Sequence, residues 1–465
     1  MRKEFSNLHI FEYNDIFLAI DSGTLSIFEL NEDMKDYLLG NKVNDHDKVM
    51  MEEELTELLK KGYFQDSGKP QSVDGILSSY NISLQNTLEC PLNCSYCFSK
   101  KINSDPKIMT KQMAHDTLEF IFHTFDEKAD SIEIYFTSGG EPLSNFPIIK
   151  QVYEEGTELS KKYKKRFKTG FTTNSVLMDD KKLEYLEDAE IGMMLSVDGT
   201  EEEHNKNRIF YNGDGSYKNV LEVLEKLKNS ENGCLNNTQA LTVLTPDKGS
   251  YIELLKYLVD IGFKKVNMKL ARNTEKENPL MTVEMLDDIK AKYKALVEFL
   301  TDEILQNRWK YVVPVMDTNN MLGQIVINMA LRKKVLFRCD AGKSKFSILP
   351  NGDIYPCDFM STLPETKLGN VYSGIDSNKQ EKWKQLTCLD LEECKHCWAR
   401  YVCAGTCYYS RYMNNNKPDP IECEMMKFLM ERVAEMIYRI RCDGDSKLRH
   451  LIKLVKNIKV NSQDE

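Results

Sequence analysis

The sequence lacks long apolar runs, an excess of basic residues and any internal repeat or low-complexity tract. Its apolar runs fall well short of the roughly 20 residues that a membrane-spanning helix requires. No apolar signal region follows the first basic residues, so we expect a cytoplasmic protein. With 62 basic and 72 acidic residues the net charge is -10, which argues against a nucleic acid or an anionic membrane as the main partner.

Thirteen cysteines are present, and a reducing compartment keeps such thiols free. Cys90, Cys94 and Cys97 lie within eight residues, directly after a strand-like stretch at 81–88. Thiolates are soft ligands that suit iron-sulfur clusters. Because a 4Fe-4S cluster has four irons, three cysteines leave one iron open to a small molecule. The alternatives are a zinc site or buried structural cysteines, but zinc ligands usually occur as two C-x2-C pairs.

The first 78 residues predict a small α+β domain. Three apolar runs between residues 8 and 30 predict a three-stranded meander. Asn31 suits a helix N-cap and Gly40 suits a helix stop, and a second helix is predicted over roughly 47–62. This domain is either a packing extension or a binding module.

Strand-like and helix-like segments alternate from residue 81 onward, so the expected fold is α/β, a partial barrel of six strand-helix units. Functional loops are expected at the carboxyl ends of its strands. The predicted strands lie near 81–88, 131–137, 168–173, 191–197, 239–245 and 264–270.

A long amphipathic stretch, 282–307, leads away from this barrel, and short cysteine-rich segments begin after residue 338. Low periodicity there predicts that metal, not a hydrophobic core, holds the region together. A helical tail is predicted over 424–441. The predicted domains are 1–78, 79–325, 326–430 and 431–465.

The second predicted barrel strand ends in Thr-Ser-Gly-Gly-Glu-Pro, residues 137–142. Gly139 and Gly140 are expected to let a ligand approach the backbone, and Glu141 suits a cationic amino group. A Gly-Gly turn alone is weak evidence. It gains weight here because it follows a three-cysteine loop in a strand-helix repeat.

Together, the cysteine triplet and this turn resemble the radical S-adenosylmethionine enzymes, whose fold is a partial barrel of six strand-helix units. The resemblance implies that S-adenosylmethionine chelates the open iron through its amino and carboxylate groups. The reduced cluster then cleaves it to methionine and a 5'-deoxyadenosyl radical, while the protein orients the reactants. The same resemblance places Tyr96 and Phe98 beside the cluster and the adenine.

Later strand ends offer further cofactor contacts. Asn174 and Ser196 supply short polar groups for the ribose or the methionine. Residues 204–208 resemble the family's His-Asp-x-x-Arg run with Asn205 in the Asp place, so Arg208 is a candidate for the cofactor carboxylate. The alternative is a solvated surface arginine.

The second cysteine region resembles the seven-cysteine pattern of the SPASM domain, which implies two auxiliary 4Fe-4S clusters and three clusters in all. Its members are Cys339, Cys357, Cys394, Cys397, Cys403, Cys407 and Cys423. The family's connectivity assigns Cys339, Cys357 and Cys407 to the first auxiliary cluster and the other four to the second. Either Cys388 or another thiol completes the first cluster, or its fourth iron is open and binds a substrate thiolate.

Asp358 directly follows Cys357. Its position matches the aspartate that serves as proton acceptor in sulfatase-maturing enzymes, so it is a candidate catalytic base. The alternative is an aspartate that only hydrogen-bonds amides of the cluster loop.

The whole layout is similar to the maturases of cysteine-rich ribosomal peptides of the SCIFF or ranthipeptide type, which form thioether crosslinks. The resemblance implies a winged-helix-like N-terminal element that binds a leader peptide as an added strand, near Leu25 to Leu30. It also implies an external electron donor such as flavodoxin or ferredoxin. Sulfatase maturation is an alternative activity, and a non-catalytic electron carrier or leader-binding scaffold is a third reading.

Overall fold

The computed structural model describes residues 5, 7–65, 79–125, 129–230, 237–275 and 279–464, the last helix without side chains beyond residue 454. Its contacts divide the chain into two units. Unit 1 holds residues 1–73, 282–338 and 387–465, and unit 2 holds residues 74–281 and 339–386. The predicted boundary at 78/79 lies at the edge of the described residues, and the other predicted boundaries do not coincide with the units, so the domain division stays a prediction.

Unit 1 begins with an antiparallel sheet in the order β1-β2-β3, which confirms the predicted meander. The strands are β1 (Leu8–Tyr13), β2 (Ile16–Asp21) and β3 (Ser26–Leu30), and the helices Glu32–Leu39 and Asp45–Lys60 follow.

Local chemistry sets the ends of these elements. Asn14 and Asp15 have φ of 43° and 63°, as a two-residue hairpin turn requires. Asn31 accepts a hydrogen bond from the backbone N of Met34 at 2.8 Å, and Gly40 ends the first helix at φ 88°. The predicted N-cap and helix stop are therefore confirmed.

Both faces of this sheet are covered within unit 1. Ala19 belongs to the apolar core formed with the two following helices. On the other face, the ring of His9 stacks on Trp398 at 3.7 Å, and its Nε2 lies 2.8 Å from Oε1 of Glu431. Leu18 is fully buried. The meander is thus part of the core of unit 1.

The remainder of unit 1 is mainly helical. Its longer helices are Leu286–Leu305, Met321–Ala330, Pro420–Asp443 and Asp445–Asp464, and short helices at Glu392–Lys395, Arg400–Cys403 and Tyr408–Met413 carry the cysteine-rich segment. The predicted tail at 424–441 is therefore the middle of a longer helix. No helix in the described ranges is long and apolar enough to cross a membrane.

Unit 2 contains the six predicted strands, which are parallel and adjacent in chain order. They are β4 (Ser79–Leu84), β5 (Ser131–Phe136), β6 (Arg166–Thr173), β7 (Gly192–Ser196), β8 (Gln239–Leu244) and β9 (Lys265–Leu270). The helices between them are Lys111–Phe125, Phe146–Tyr163, Asp180–Asp188, Glu201–Asn205, Tyr217–Asn229 and Tyr251–Asp260.

The two faces of this sheet differ in chemistry. Tyr80 of β4 stacks on Phe125 of the first covering helix at 4.0 Å. Alternate residues on the opposite face are polar, and Ser83 lies 3.0 Å from the hydroxyl of Thr137. Because strand side chains alternate between faces, the strands bury an apolar face under helices and line the inner face with polar groups.

Sequence analysis missed a seventh parallel strand. β10 (Lys345–Ile348) pairs with β4, and β11 (Asp353–Tyr355), β12 (Gly369–Asn370) and β13 (Gly374–Ile375) continue the sheet antiparallel, which gives ten strands among the described residues. The expectation that metal alone holds the region after residue 338 is wrong for residues 345–375, because backbone pairing joins them to the barrel sheet.

Replacing Leu18 by Ala is expected to destabilise unit 1 by about 2–5 kcal/mol, because a fully buried side chain leaves a cavity. Thermal unfolding followed by circular dichroism measures this as a lower midpoint. Val49→Ala is the control, since Val49 is 56% exposed. Equal midpoints for the two variants would contradict the buried position of β2.

Candidate active site

The loop after β4 carries Cys90, Cys94 and Cys97, and we call residues 87–97 the cluster loop. Burial and, to a smaller degree, the charges of Glu141, Cys94 and Cys97 raise the pKa of Cys90 to about 12, against a backbone hydrogen bond at Leu92 that lowers it. Burial also raises the pKa of Cys94, and Cys97 adds to that shift. The three thiols therefore lie close enough to repel one another as thiolates. A cationic metal centre is what would hold all three ionised.

Backbone hydrogen bonds hold the cluster loop along both sides. On one side, the N atoms of Asn93 and Ser95 donate to the O atoms of Ile209 and Asn207 at 2.7 and 3.1 Å. On the other, Gly140 N donates to Thr87 O at 2.7 Å, and Glu141 N donates to Glu89 O at 2.8 Å. The loop is thus fixed between the end of β5 and the segment after β7.

The two glycines are needed by the chain itself. A Cβ on Gly140 would lie 1.9 Å from Glu89 O, and one on Gly139, at φ +89°, would lie 2.6 Å from Thr87 O. The expectation that the glycines leave room for a ligand needs correction on this face, because the backbone of the cluster loop occupies that space.

Glu141 is buried and joins the ends of β5 and β6. Its carboxylate accepts hydrogen bonds from Thr173 Oγ1 at 2.6 Å, Asn174 N at 2.9 Å and Leu143 N at 3.3 Å. Burial raises the pKa of Glu141 to about 7, against these hydrogen bonds, which lower it. Nδ2 of Asn174 lies 3.5 Å from Sγ of Cys90, so the predicted residues Glu141 and Asn174 are neighbours at the cluster loop.

Arg208 is only 6% exposed, so the alternative of a solvated surface arginine is wrong. Its Nε donates to Oδ2 of Asp198 at 2.9 Å, and its guanidinium lies over the Tyr96 ring at 5.4 Å. The hydroxyl of Tyr96 donates to the same carboxylate. Sequence reasoning missed Asp198, although it lies two residues after the predicted Ser196, which is buried at the end of β7.

His204 holds the backbone of Asp198, the residue that binds Arg208 and Tyr96. Its Nδ1 accepts a hydrogen bond from Asp198 N at 3.3 Å, and its Nε2 lies 3.0 Å from Ser216 Oγ. Since Ser216 donates its own proton to Arg208 O at 2.9 Å, the histidine is neutral with its proton on Nε2. Burial and the nearby Arg208 charge lower the pKa of His204 to about 3.

The loop after Cys357 also reaches this end of the sheet. Phe98 stacks on Phe359 at 4.0 Å. Oδ2 of Asp358 accepts from Thr137 Oγ1 at 3.5 Å. Its Oδ1 is buried, without a hydrogen-bond partner among the described residues. The predicted residues Phe98 and Asp358 therefore lie within unit 2 near the strand ends.

In unit 1, the four cysteines of the predicted second auxiliary set come together. Burial raises the pKa of Cys394 to about 11 and that of Cys423 to about 12, and charges of the other thiols of the set add to both shifts. Burial also raises the pKa of Cys403, with further contributions from Cys423, Cys394 and Cys397. The chemistry of these four thiols fits an iron-sulfur cluster, although no group of three or more His, Cys, Asp or Glu side chains in the described ranges is already arranged as a metal site.

Cys388 lies beside this second set. It is 1% exposed, and burial and then the Cys394 charge raise its pKa to about 12. Of the predicted first set, Cys407 belongs to unit 1, where its backbone N donates to Glu422 Oε2 at 2.8 Å. Cys339 and Cys357 belong to unit 2.

Comparison with known families and proteins agrees with this arrangement. The model of the Radical SAM superfamily matches residues 87–258, and that of the SPASM iron-sulfur cluster-binding domain matches residues 339–398. The radical SAM cyclopropyl synthase TigE of Paramaledivibacter caminithermalis is 24% identical, over 76% of this chain and 74% of that protein. A cysteine-type anaerobic sulfatase-maturating enzyme of Clostridium perfringens is 25% identical, over 68% of this chain and 85% of that protein.

Solved structures show the same fold. Native anSMEcpe with bound AdoMet and Cp18Cys peptide has a TM-score of 0.62 at 21% identity, over 82% of this chain and 99% of that chain. Streptococcus suis SuiB bound to its precursor peptide SuiA has a TM-score of 0.50 at 16% identity, over 90% and 98%.

Gly140→Ala is expected to detach the cluster loop from the end of β5, because its Cβ would overlap Glu89 O. Hydrogen-deuterium exchange should then be faster in residues 87–97. Gly192→Ala is the matched control, since the nearest atom to its Cβ lies 3.7 Å away. Unchanged exchange in Gly140→Ala would contradict the close packing described above.

His204 should make the protein less stable as the pH falls. Its folded pKa, about 3, lies below the unfolded value near 6.5, so the unfolded chain binds a proton that the folded chain excludes. The stabilisation is complete above about pH 6.5 and is lost toward pH 3. Thermal midpoints measured between about pH 4.5 and 6.5, inside this window, should therefore depend less on pH in His204→Gln than in the parent protein.

His115→Gln is the control for this measurement. The hydrogen bond that the His115 ring donates to Glu155 raises the pKa of His115. Since a raised pKa adds stability at low pH, His115→Gln should not make the thermal midpoint less dependent on pH in the way expected for His204→Gln. An unchanged slope in His204→Gln would show that His204 is not the neutral group described.

Proposed function

The chain contains a radical SAM domain and a SPASM domain, and from this we propose that it is a peptide maturase that forms thioether crosslinks in a cysteine-rich precursor. The observation that carries the proposal is the ligand count of the auxiliary cysteines. Four thiols, Cys394, Cys397, Cys403 and Cys423, suffice for one 4Fe-4S cluster. The remaining set, Cys339, Cys357 and Cys407, is one ligand short.

The place of Cys388 supports this count. It was the nearest spare thiol in the sequence, and it lies beside Cys394, which belongs to the set that already has four members. We propose that Cys339, Cys357 and Cys407 would hold the first auxiliary cluster with one iron left without a protein ligand, and that such an iron would favour the thiolate form of a substrate cysteine. A bound thiolate close to a carbon radical is what carbon-sulfur bond formation needs.

In this proposal Cys90, Cys94 and Cys97 hold the cluster that binds S-adenosylmethionine. When bound and reduced, this cofactor pair supplies a 5'-deoxyadenosyl radical that takes a hydrogen atom from a carbon of the peptide. Asn174, beside Cys90, and Ser196, at the end of β7, are proposed to orient the nucleoside and methionine parts. Glu141 holds the ends of β5 and β6 in register beneath them.

The remaining predicted contacts are assigned in the same way. Tyr96 and Phe98 flank the cluster, and Arg208 is proposed to present positive charge toward the cofactor carboxylate from its place against Asp198. The backbone of Gly139 and Gly140 is proposed to face the cofactor amino group on the side away from Glu89.

The overall reaction balances without oxygen. The peptide loses one hydrogen atom from carbon and one proton from sulfur, a carbon-sulfur bond forms, and one electron remains. We propose that this electron leaves through the auxiliary clusters, and that an external donor such as flavodoxin or ferredoxin reduces the first cluster.

The N-terminal meander is proposed to act as a winged-helix-like leader-binding element. β3 lies at an edge of its three-stranded sheet, and edge strands offer unpaired backbone groups to an added strand. SuiB, a fold relative, has been solved with its precursor peptide. The predicted domains at 1–78, 79–325, 326–430 and 431–465 are kept as functional divisions of the proposal.

Sulfatase maturation is the second candidate, favoured by Asp358. Its Oδ1 is buried without a hydrogen-bond partner in the described part of the chain, as suits a proton acceptor next to a substrate. The sulfatase-maturating relative is as similar in sequence as TigE. In this reading the peptide cysteine is oxidised to formylglycine and no crosslink forms.

Mass spectrometry separates the two functions. A cysteine-rich peptide encoded beside this chain, incubated anaerobically with enzyme, S-adenosylmethionine and reductant, should lose two hydrogens per crosslink and the matching thiols should resist alkylation. Cys90→Ala should abolish both 5'-deoxyadenosine and crosslinks. Cys357→Ala should still produce 5'-deoxyadenosine but no crosslink, because the substrate thiolate has lost its iron.

Intact crosslinking in Cys357→Ala would contradict the auxiliary-cluster step. A formylglycine mass, abolished by Asp358→Asn, would establish the second candidate. Absence of 5'-deoxyadenosine in the parent enzyme would overturn both.

A further inference from the structure

We propose that Asp198 is a positioning residue that holds the cluster loop in its working geometry through Tyr96 and Arg208. The inference rests on the assignment of Cys90, Cys94 and Cys97 as cluster ligands within the proposed function. It does not depend on which product the enzyme makes.

One carboxylate joins three parts of unit 2. Oδ2 of Asp198 accepts hydrogen bonds from the Tyr96 hydroxyl, in the cluster loop, and from Arg208 Nε at 2.9 Å. Oδ1 accepts from the backbone N of Val243, in β8, at 2.9 Å. Asp198 is 1% exposed, so these contacts replace water as the partners of its charge.

The backbone of Asp198 is itself held in place. Its N donates to Nδ1 of the neutral His204, and its O accepts from the buried Lys248 ammonium. A carboxylate fixed by its own main chain can impose a position on the groups that bind it. Asp198 is therefore the fixed point, and Tyr96 is the group that it positions.

Tyr96 lies between two cluster ligands, Cys94 and Cys97, so its anchor acts directly on their spacing. Near Tyr96, the backbone N atoms of Asn93 and Ser95 donate to the O atoms of Ile209 and Asn207. Arg208 belongs to that segment, and its guanidinium covers the Tyr96 ring. The Asp198 carboxylate thus binds both Tyr96, in the cluster loop, and Arg208, in the segment to which the loop backbone is hydrogen-bonded.

Asparagine cannot replace this aspartate. A neutral amide leaves the buried Arg208 charge without its partner, which is costly. An amide also has one acceptor oxygen, whereas the Asp198 carboxylate accepts hydrogen bonds on both of its oxygens. The milder change is at Tyr96. If Asp198 positions the cluster loop, removing the Tyr96 hydroxyl should loosen the loop without removing a cluster ligand or a charge.

The test compares Tyr96→Phe with Tyr372→Phe. Tyr372 also donates to an aspartate of unit 2, Asp116 Oδ2 at 2.8 Å, but it is 67% exposed. Electron paramagnetic resonance measures the signals of the reduced clusters. The signal that shifts when S-adenosylmethionine is added belongs to the cluster that binds this cofactor, and that signal is followed. Under a chelator this signal should decay about tenfold faster in Tyr96→Phe, as expected for a lost buried hydrogen bond to a charge, and should be broader before decay. Tyr372→Phe should match the parent protein.

A second comparison separates positioning from general stability. If Tyr96 acts through Asp198, adding Tyr96→Phe to Asp198→Asn should change the decay rate less than twofold, since coupled residues are not additive. Should Asp198→Asn not fold, Tyr96→Phe alone decides the matter. Equal decay and line shape in Tyr96→Phe and Tyr372→Phe would overturn the proposal, and so would additive effects in the double variant.

The outcome is distinguishable from failure of the proposed function. An enzyme that makes 5'-deoxyadenosine but no thioether would refute the crosslinking activity and leave this inference standing. If Arg208 only binds the cofactor, Arg208→Lys should raise the KM for S-adenosylmethionine and leave the decay of the cluster signal as in the parent protein. That result would count against positioning through Asp198.

Discussion

The cluster loop must hold Cys90, Cys94 and Cys97 side by side although their thiolates would repel one another, and much of the described site follows from this constraint. Neither local helix nor strand structure holds residues 87–97, so their backbone bonds to the end of β5 on one side and to residues 207–210 on the other. The close approach explains why residues 139 and 140 are glycines. It also explains why polar groups such as Glu141 and Asp198 are buried here, because each joins strand ends that carry a part of the loop.

The same logic separates residues that contact a cofactor from residues that build the place for it. Glu141 uses its carboxylate on Thr173, Asn174 and Leu143, and Arg208 uses its Nε on Asp198. Charged side chains buried in this way are retained only when they are paired. Their position in the motifs is consistent with a role beside the cofactor, but the first task of each is structural.

In unit 1, direct side-chain contacts connect the N-terminal meander to the cysteine-rich segment. His9 of β1 stacks on Trp398, the residue after Cys397, and Arg400 donates from Nη2 to Asn7 Oδ1 at 2.9 Å and from Nη1 to Cys397 O at 3.0 Å. A module that merely binds a leader peptide would need no such contacts. In this chain the proposed leader-binding sheet and the loop of the second auxiliary set are in direct contact within unit 1.

Sequence by itself determined the features that depend on near neighbours along the chain. Cysteine spacing and the SPASM pattern predicted the sets at residues 90–97 and at Cys394, Cys397, Cys403 and Cys423, whose members influence one another's pKa in the structure. Alternation of apolar residues identified the meander and the six parallel strands, and capping chemistry located the helix at Glu32–Leu39. These signals are local, so tertiary context did not overturn them.

Only the tertiary structure decided what pairs across long separations. The union of β10 with β4 joins residues more than 250 positions apart, and no periodicity within either segment encodes its partner. Three further features likewise depend on which elements meet. They are the burial of Arg208 against Asp198 and Tyr96, the close approach of the backbone of Glu89 and Thr87 to Gly140 and Gly139, and the place of Cys388 beside Cys394. Residue types and their spacing predicted the kind of chemistry, because these signals lie close together in the sequence. The packing of distant segments decided which side chains are paired with other protein groups and which are available for that chemistry.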